Sequence, residues 1–326
     1  MLFEAKTGIL TDQGISKEKA YELTYLKGPE ILDLLSASGS MARKTRGNRV
    51  ETCAIVNARS GGCSEDCRFC SQSSRYETKA PVYPFLSPEN ILRQAIYMEA
   101  AGAKRFSLVT SGRGISDRDF DTALATFALL KRETGLKLCS SFGIINEEKA
   151  VMLKQAGVEM YHHNLEASSG YFPLTCTTHS HQDRINTIKT ARKAGLRICA
   201  GGIMGIGETF GQRVDLAFEI RDLGIDSVPV NFLKPIKGTP LENTPPVPPL
   251  TLLQILAIFR LIMPGAVIRL CGGRQNLGAL QPLAFMAGAD GVMIGNYLTT
   301  KGEDIKKDMQ MLADLGLQIS LIDKER

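Results

Sequence analysis

The sequence contains no tryptophan, and its aromatic residues amount to only 6% of 326 positions. Its one cluster of basic residues, 42–49, has no aromatic side chain on which a base could stack, so we expect a solvated loop and no nucleic-acid partner. No apolar run is close to the roughly 18 residues of a membrane-spanning helix, so we expect no membrane contact. The first residues, MLFEAKTGILTDQG, also lack the basic start and apolar core of a secretory signal. These absences favour a cytoplasmic protein.

Cysteine, in contrast, is abundant. Eight cysteines without an export signal argue against a disulfide framework and for metal or redox chemistry. Cys63, Cys67 and Cys70 form a C-x3-C-x2-C triplet. Three thiolates leave one iron of a four-iron cluster open, whereas a structural zinc site needs a fourth protein ligand. The triplet therefore predicts an iron–sulfur cluster with room for a further ligand, and a zinc site completed by a distant residue is the alternative.

Short β-rich segments alternate with helical segments from residue 50 onward, and several helical segments are followed by the glycine expected after a helix C-terminus. The pattern predicts an α/β fold, a (β/α)8 TIM-type barrel, over residues 50–326 with a C-terminal cap. A helical extension, residues 1–49, is expected to cover one end of the barrel, and the Pro-rich segment 238–250 is expected to be a surface loop. The predicted strands are 51–58, 105–112, 136–143, 158–165, 196–205, 227–233, 266–273 and 291–296.

The triplet follows the first predicted strand, which places it at the C-terminal mouth of the barrel. With Phe69 just before its last cysteine, it resembles the signature of radical S-adenosylmethionine (SAM) enzymes. The resemblance implies that the triplet holds a [4Fe-4S] cluster whose open iron binds SAM, and that one electron cleaves SAM to a 5′-deoxyadenosyl radical. It also implies that Phe69 and the glycine-rich segment 201–209 lie beside the adenine.

Longer segments are similar to the biotin synthase family: NARSGGCSEDCRFCSQSSRY, YHHNLEAS, SVPVNFLKPIKGTPLE and NYLTT. This resemblance implies a sulfurtransferase that inserts sulfur at C6 and C9 of dethiobiotin, an electron donor of the flavodoxin or ferredoxin type, and a homodimer. It implies SAM contacts at Phe69, Ser111, Asn164, Glu166, Arg184 and Ile203. It implies dethiobiotin contacts at Asn164, Asn231, Thr299 and Thr300. The alternatives are a relative from hydrogenase maturation or the pyrrolysine pathway, and a non-catalytic scaffold protein with a zinc loop.

Members of this family usually carry a second, two-iron cluster, which is held by three cysteines and an arginine and is regarded as the sulfur donor. Cys139, Cys199 and Arg269 match three of those positions, but Ser107 stands where the remaining cysteine is expected. A hydroxyl is a poor ligand for iron that prefers thiolate. The sequence therefore argues against the usual two-iron site.

Two further cysteines, Cys53 and Cys271, offer a replacement. With Cys139 and Cys199 they lie on predicted strands one, three, five and seven, and a barrel layer takes its four side chains from alternate strands. We therefore expect an auxiliary four-iron cluster at these cysteines, with Arg269 as part of the site. The alternative is that Cys53 and Cys271 are small buried apolar residues, as free cysteine often is.

Cys176, His179 and His181 form a possible C-x2-H-x-H metal motif. Polar loop residues near a substrate would explain the same pattern. Cys176 is assigned to neither cluster.

Overall fold

The computed structural model describes residues 14–322. In this part of the chain the strands form one parallel sheet that contains the barrel. The strands are β1 Arg49–Arg59, β2 Arg105–Thr110, β3 Lys137–Ser141, β4 Met160–His162, β5 Arg197–Cys199, β6 Gly202–Met204, β7 Ser227–Phe232, β8 Val267–Leu270, β9 Gly291–Met293 and β10 Gln318–Ile319.

The sheet closes into a barrel of eight strands. Neighbouring strands pair in the order β1, β2, β3, β4, β5, β7, β8 and β9, and β9 pairs back onto β1. β6 lies next to β5 along the chain and pairs with β7. The short β10 pairs with the start of β1, where Arg49 is opposite Gln318. The prediction of an α/β fold with a TIM-type (β/α)8 barrel is confirmed.

The predicted strand 196–205 is divided into β5 and β6. β5 ends at Cys199 and β6 begins at Gly202, so the break falls opposite Pro229 of β7. Proline has no N–H with which to continue a ladder. A Cβ on Gly201 would lie 1.9 Å from the carbonyl oxygen of Pro229. A glycine facing a proline thus interrupts the pairing without opening the barrel wall.

Helices surround the barrel, and most of them begin after a Ser, Thr, Asn or Asp whose side chain accepts a hydrogen bond from the first turn. None of the helices in residues 14–322 is long and apolar enough to cross a bilayer. The helices after β1 are Pro88–Ala100, Asp117–Glu133, Glu147–Gln155, His181–Lys193, Phe210–Asp222, Pro249–Ile262, Leu283–Met286 and Ile305–Asp314, with 3-10 turns at Phe172–Leu174 and Arg274–Leu280.

Helix Pro249–Ile262 is apolar on nearly every face and almost entirely buried. A helix of this kind needs cover on its outer side as well as against the sheet. Helices Lys17–Leu23 and Pro29–Arg46 pack against it, and Gln254 Nε2 donates to the carbonyl oxygen of Leu23 over 2.7 Å. We expected the N-terminal helices to cover one end of the barrel. They pack on its flank instead, because the flank carries this apolar helix.

The Pro-rich segment is a loop, as expected, but it ends at 248, because Pro249 occupies the first turn of the next helix. β1 begins one residue before the expected domain start at 50. The division into residues 1–49 and 50–326 stays a prediction. Residues 1–13 and 323–326 lie outside the described part of the chain.

A buried ion pair joins helix Pro249–Ile262 to the start of β9. Arg260 Nη2 lies 2.7 Å from Asp290 Oδ1, and the Arg260 side chain is fully buried. Other nitrogens of Arg260 donate to backbone oxygens, among them that of Gly288 over 2.8 Å. Burial raises the pKa of Asp290 although Arg260 lies beside it. Such a pair adds little net stability, but loss of one partner leaves a buried charge alone.

We therefore predict that Asp290→Asn lowers the free energy of unfolding by about 3–5 kcal/mol, because Arg260 would keep its charge in the interior without a partner. Urea unfolding of cluster-free protein, followed by circular dichroism, measures the change. Glu133→Gln, in an exposed pair with Arg132, is the control and should leave the unfolding midpoint unchanged. A loss below about 1 kcal/mol for Asp290→Asn would contradict the prediction.

Candidate active site

One cavity of about 420 Å³ opens between the C-terminal ends of the barrel strands and reaches into the barrel. Residues that are far apart in the sequence meet there because the ends of parallel strands converge. Every residue that the sequence assigned to a site lines this cavity: Cys53, Cys63, Cys67, Phe69, Cys70, Ser111, Cys139, Asn164, Glu166, Arg184, Cys199, Ile203, Asn231, Arg269, Cys271, Thr299 and Thr300.

The triplet lies on the loop after β1. Gly61 has a φ of 73°, and a Cβ there would lie 2.5 Å from a side-chain carbon of Val82, so glycine is required at this bend. Cys70 N donates to Cys67 O over 2.9 Å, which closes a turn between the second and third cysteines. Cys63, Cys67 and Cys70 are all free thiols. The loop therefore brings three sulfur atoms to the cavity mouth.

Polar side chains fix this loop to the strands below it. Gln72 Oε1 accepts hydrogen bonds from Asn57 Nδ2 and Ser60 Oγ, each over 3.1 Å. Ser111 Oγ, at the end of β2, donates to Gly61 O over 2.6 Å. Ser111 thus lines the cavity and also holds the triplet loop in place.

Glu166 has a φ of 68°, the one positive φ of a residue other than glycine among residues 14–322. This conformation costs about 1–3 kcal/mol, and backbone bonds to Gly201 O and from Ile203 N hold it. The Glu166 carboxylate accepts a hydrogen bond from Asn164 Nδ2 over 3.3 Å and lies 3.8 Å from Arg184 Nη1. Burial raises the pKa of Glu166. A strained backbone therefore holds an acid, an amide and a guanidinium together at the cavity.

Phe69 and Ile203 form an apolar part of the wall. Both pack on one small cluster of buried side chains, Ala167, Tyr171, Ile206, Leu233 and Leu241. An apolar wall flanked by a few polar groups suits a flat heteroaromatic ring.

Asn231 lies at the end of β7. Its Oδ1 accepts from Gly272 N over 3.0 Å, and its Nδ2 donates to a backbone oxygen of β6 over 3.3 Å. The amide still has one N–H and one lone pair for a ligand. Thr299 Oγ1 lies 2.9 Å from Ser71 Oγ, just after the triplet. These groups can hydrogen-bond a neutral ligand between the barrel and the triplet loop.

Strand pairing shows which inward residues are level with one another. Because barrel strands tilt, an inward side chain on one strand is not level with its register partner two strands away. It is level with the residue that lies two positions beyond that partner. Cys139 lies two residues beyond the register partner of Cys53, and Cys199 two beyond that of Cys139. The same step from Cys199 leads to Arg269, not to Cys271. Arg269 therefore completes the layer of four that we expected Cys271 to complete, and Cys271 lies two residues nearer the mouth.

Two arginines share one carboxylate in this part of the barrel. Glu51 Oε1 accepts from Arg105 Nε over 2.9 Å and also from Arg269 Nη2, and all three side chains are buried. Burial alone would raise the pKa of Glu51, but Arg269 and Arg105 lower it to about 2. The neighbouring Glu159 is shared between Arg105 and Lys137. Arg105 and Arg269 both line the cavity, so they can offer positive charge to an anion there.

The chemistry of this region fits an iron–sulfur group. Ser107 Oγ is buried and has no hydrogen-bond partner among the described residues, and Ser107 is the register neighbour of Cys139. His162 Nδ1 lies 3.4 Å from Cys199 Sγ, and burial lowers the pKa of His162 to about 4. A negatively charged group with sulfur ligands would pair with these guanidinium groups and give the Ser107 hydroxyl an acceptor.

Sequence reasoning did not identify Glu51 and Arg105. A signal was present, since Glu51 stands two residues before Cys53 and Arg105 two before Ser107. Residues two apart on a strand face the same side, so an inward cysteine implies an inward charge at these positions.

The C-x2-H-x-H motif does not converge on one point. His181 Nε2 lies 3.5 Å from a carboxylate oxygen of Glu219. Cys176 and His179 lie instead beside Cys67, and the ligand atoms of these three are within 4.8 Å of one another.

The chain is similar to known protein families and to solved structures. The chain matches the Radical SAM superfamily over residues 58–220 and the Biotin and Thiamin Synthesis associated domain over residues 229–318. The crystal structure of a methylornithine synthase is similar with a TM-score of 0.82 at 20% identity, covering 94% of this chain and 95% of that one. An FeFe-hydrogenase maturase from Carboxydothermus hydrogenoformans gives 0.81 at 16% identity, over 96% of this chain and 77% of that one. At such identities the likeness shows the fold alone.

Sequence relatives are much closer. A biotin synthase of Pelotomaculum thermopropionicum is 54% identical over 306 residues, which cover 94% of this chain and 95% of the relative. A biotin synthase of Heliobacterium modesticaldum is 50% identical over 94% of both chains. The chain therefore belongs to the biotin synthase family of radical SAM proteins.

Proposed function

We propose that this protein inserts sulfur at C6 and C9 of dethiobiotin to form biotin, as a radical SAM sulfurtransferase. The observation that carries the proposal is a single cavity lined by three thiols at its mouth and four thiols inside the barrel. Relatives named biotin synthase, at about half identity over nearly the whole chain, support it.

Cys63, Cys67 and Cys70 would hold a [4Fe-4S] cluster, since three thiolates leave one corner free. When bound, the cluster would supply one electron to cleave SAM, and the resulting 5′-deoxyadenosyl radical would abstract hydrogen from the substrate. The loop contributes position: its turn and its bonds to Gln72 and Ser111 hold the thiols where β1 and β2 end.

SAM would extend from the triplet along the wall that carries Phe69 and Ile203. These side chains offer apolar contact to an adenine, and Arg184 offers a guanidinium to the amino-acid carboxylate. Asn164 and Glu166 lie beside Arg184 and can reach the ribose or the substrate. Ser111 supports this wall from the end of β2.

Dethiobiotin would lie between the triplet and the barrel interior. Its ureido ring is neutral and carries N–H donors and a carbonyl acceptor, which match the amides of Asn231 and Asn164. Thr299 and Thr300 line the same cavity and can donate to its carboxylate. Such a position puts the carbon atoms to be functionalised between the two groups of cysteines.

We further propose that Cys53, Cys139, Cys199 and Cys271 hold an auxiliary four-iron cluster that supplies the sulfur, in place of a two-iron cluster. The corners of a cubane are not coplanar, so three thiols in one layer and Cys271 two residues nearer the mouth suit it better than four level thiols. Arg269 would lie beside this cluster as a cation, since its nitrogens already donate to Glu51 and Ser227.

The electron donor is proposed to be of the flavodoxin or ferredoxin type. Two exposed arginines of the triplet region, Arg68 and Arg75, offer positive charge to an acidic carrier close to the proposed cluster. A homodimer and a cytoplasmic location are proposed from family membership and from the sequence.

Replacement of one triplet cysteine tests the first cluster. We predict that Cys67→Ala abolishes the formation of 5′-deoxyadenosine from SAM under reducing conditions, because two thiolates cannot hold the cluster. Far-ultraviolet circular dichroism should be unchanged, since the loop lies outside the barrel core. Cleavage near the wild-type rate would rule out this assignment.

Replacement of Asn231 tests the substrate site. Loss of its amide should weaken equilibrium binding of dethiobiotin, measured with SAM present, by about 1–3 kcal/mol, or roughly five- to 150-fold in Kd. Asn186→Ala, at an exposed position on helix His181–Lys193, is the matched control and should bind like wild type. Equal affinity of the Asn231 variant and this control would remove Asn231 from the site.

Iron content tests the second cluster. Fully reconstituted protein should contain about eight irons per chain, whereas one four-iron and one two-iron cluster give about six. Cys53→Ala and Cys271→Ala should each lose iron from the barrel while the triplet keeps about four. About six irons, unaffected by either substitution, would show that Cys53 and Cys271 are apolar packing residues.

A further inference from the structure

A second group of metal-ligating side chains lies directly beside the triplet loop. The ligand atoms of Cys67, Cys176 and His179 are within 4.8 Å of one another. The sequence motif had suggested His181 as the third member, but Cys67 takes that place. Cys176 is only 3% exposed, and the proposed reaction gives it no role.

The donor atoms are soft and are flanked by carboxylates. Cys176 Sγ lies 3.3 Å from His179 Nδ1 and 3.1 Å from Asp66 Oδ1. Glu65 Oε2 lies 2.5 Å from the same His179 nitrogen. Two thiols and an imidazole with nearby negative charge are typical of a site for a thiophilic divalent cation.

The two loops that carry these ligands are held together without a metal. Asp66 Oδ1 accepts hydrogen bonds from Thr177 N over 2.8 Å and from Thr178 N over 3.2 Å. Arg68 N donates to Thr175 O over 3.0 Å. A cation would therefore find the ligands already close, and little ordering would oppose its binding.

We propose that, in the chain without its triplet cluster, Cys67, Cys176 and His179 bind one Zn²⁺ ion, with Glu65 or water as the fourth ligand. Thiolate and imidazole ligands in a tetrahedral set favour Zn²⁺ over Mg²⁺ or Ca²⁺. Binding displaces the thiol protons and moves the imidazole proton of His179 from Nδ1 to Nε2. The hydrogen bond that His179 Nε2 now accepts from Arg184 Nε over 3.0 Å is then lost.

Zinc in this site would exclude the triplet cluster. Cys67 cannot bind Zn²⁺ beside Cys176 and also bind an iron corner beside Cys63 and Cys70. Occupancy by zinc thus blocks cluster assembly until the ion is removed. This consequence rests on the proposed function of the triplet, whereas zinc binding itself does not.

The test uses full-length, cluster-free protein prepared without oxygen, titrated with Zn²⁺ against a coloured chelator. We expect Cys176→Ser and His179→Gln each to weaken the binding of one Zn²⁺ per chain by at least about tenfold. Cys63→Ala and Cys70→Ala are the matched controls and should keep that ion. The four barrel cysteines are unchanged in all these variants, so any zinc that they bind is common to them.

The proposal is overturned if Cys176→Ser and His179→Gln bind zinc like wild type. It is also overturned if Cys63→Ala and Cys70→Ala lose the ion equally, since zinc would then lie on the triplet. Substitution of Co²⁺ gives a second readout, because tetrahedral thiolate ligation has a characteristic visible spectrum that Cys176→Ser should alter.

A second experiment tests whether bound zinc prevents assembly of the triplet cluster. Protein loaded with Zn²⁺ and then given iron and sulfide should take up about four fewer irons than zinc-free protein, and Cys176→Ser should remove that difference. If zinc binds as expected but iron uptake is unaffected, exclusion is wrong and the cluster assignment of Cys67 fails, while the zinc site stands.

Discussion

The carboxylate of Glu51 is the interaction on which the interior of the barrel depends. It accepts hydrogen bonds from Arg105 on β2 and Arg269 on β8, and its second oxygen accepts from Ile322 N over 3.0 Å. One buried group therefore ties β1 to its neighbour β2, to β8 and to the C-terminal segment. Arg105 and Arg269 also line the cavity, so their guanidinium groups can attract an anionic occupant in a region of low dielectric.

The side chains that line the cavity change in character from the barrel interior to the mouth. Near the arginines are thiols and the Ser107 hydroxyl, which has no hydrogen-bond partner within residues 14–322; both suit a sulfur-rich anion. Higher up, Asn231 and Asn164 offer amides, and Phe69 and Ile203 offer apolar contact. At the mouth are the three thiols of the triplet. A substrate between the triplet cysteines and the barrel cysteines would be close to both a radical source and a sulfur source, as sulfur insertion into unactivated carbon requires.

The sequence was sufficient for the barrel, because its strands and helices alternate clearly, and for the triplet, because its spacing is so specific. It was not sufficient for details that depend on strand pairing. Whether Arg269 or Cys271 is level with Cys139 depends on register, and the break between β5 and β6 depends on Pro229 lying opposite Gly201. The position of the N-terminal helices could have been inferred from the largely apolar helix Pro249–Ile262. The meeting of Cys67 with Cys176 could not, since nothing local in either loop indicates the other.

We propose that the sulfur that enters dethiobiotin comes from the cluster of the barrel cysteines. The most direct measurement is a single turnover of protein whose clusters were rebuilt with sulfide enriched in a heavy sulfur isotope, followed by mass spectrometry of the product. We expect biotin that carries the heavy sulfur, with one 5′-deoxyadenosine formed for each C–H bond broken, and no labelled biotin from Cys139→Ala protein that still cleaves SAM. Labelled biotin in equal yield from that variant, or SAM cleavage without any sulfur transfer by the intact protein, would contradict it.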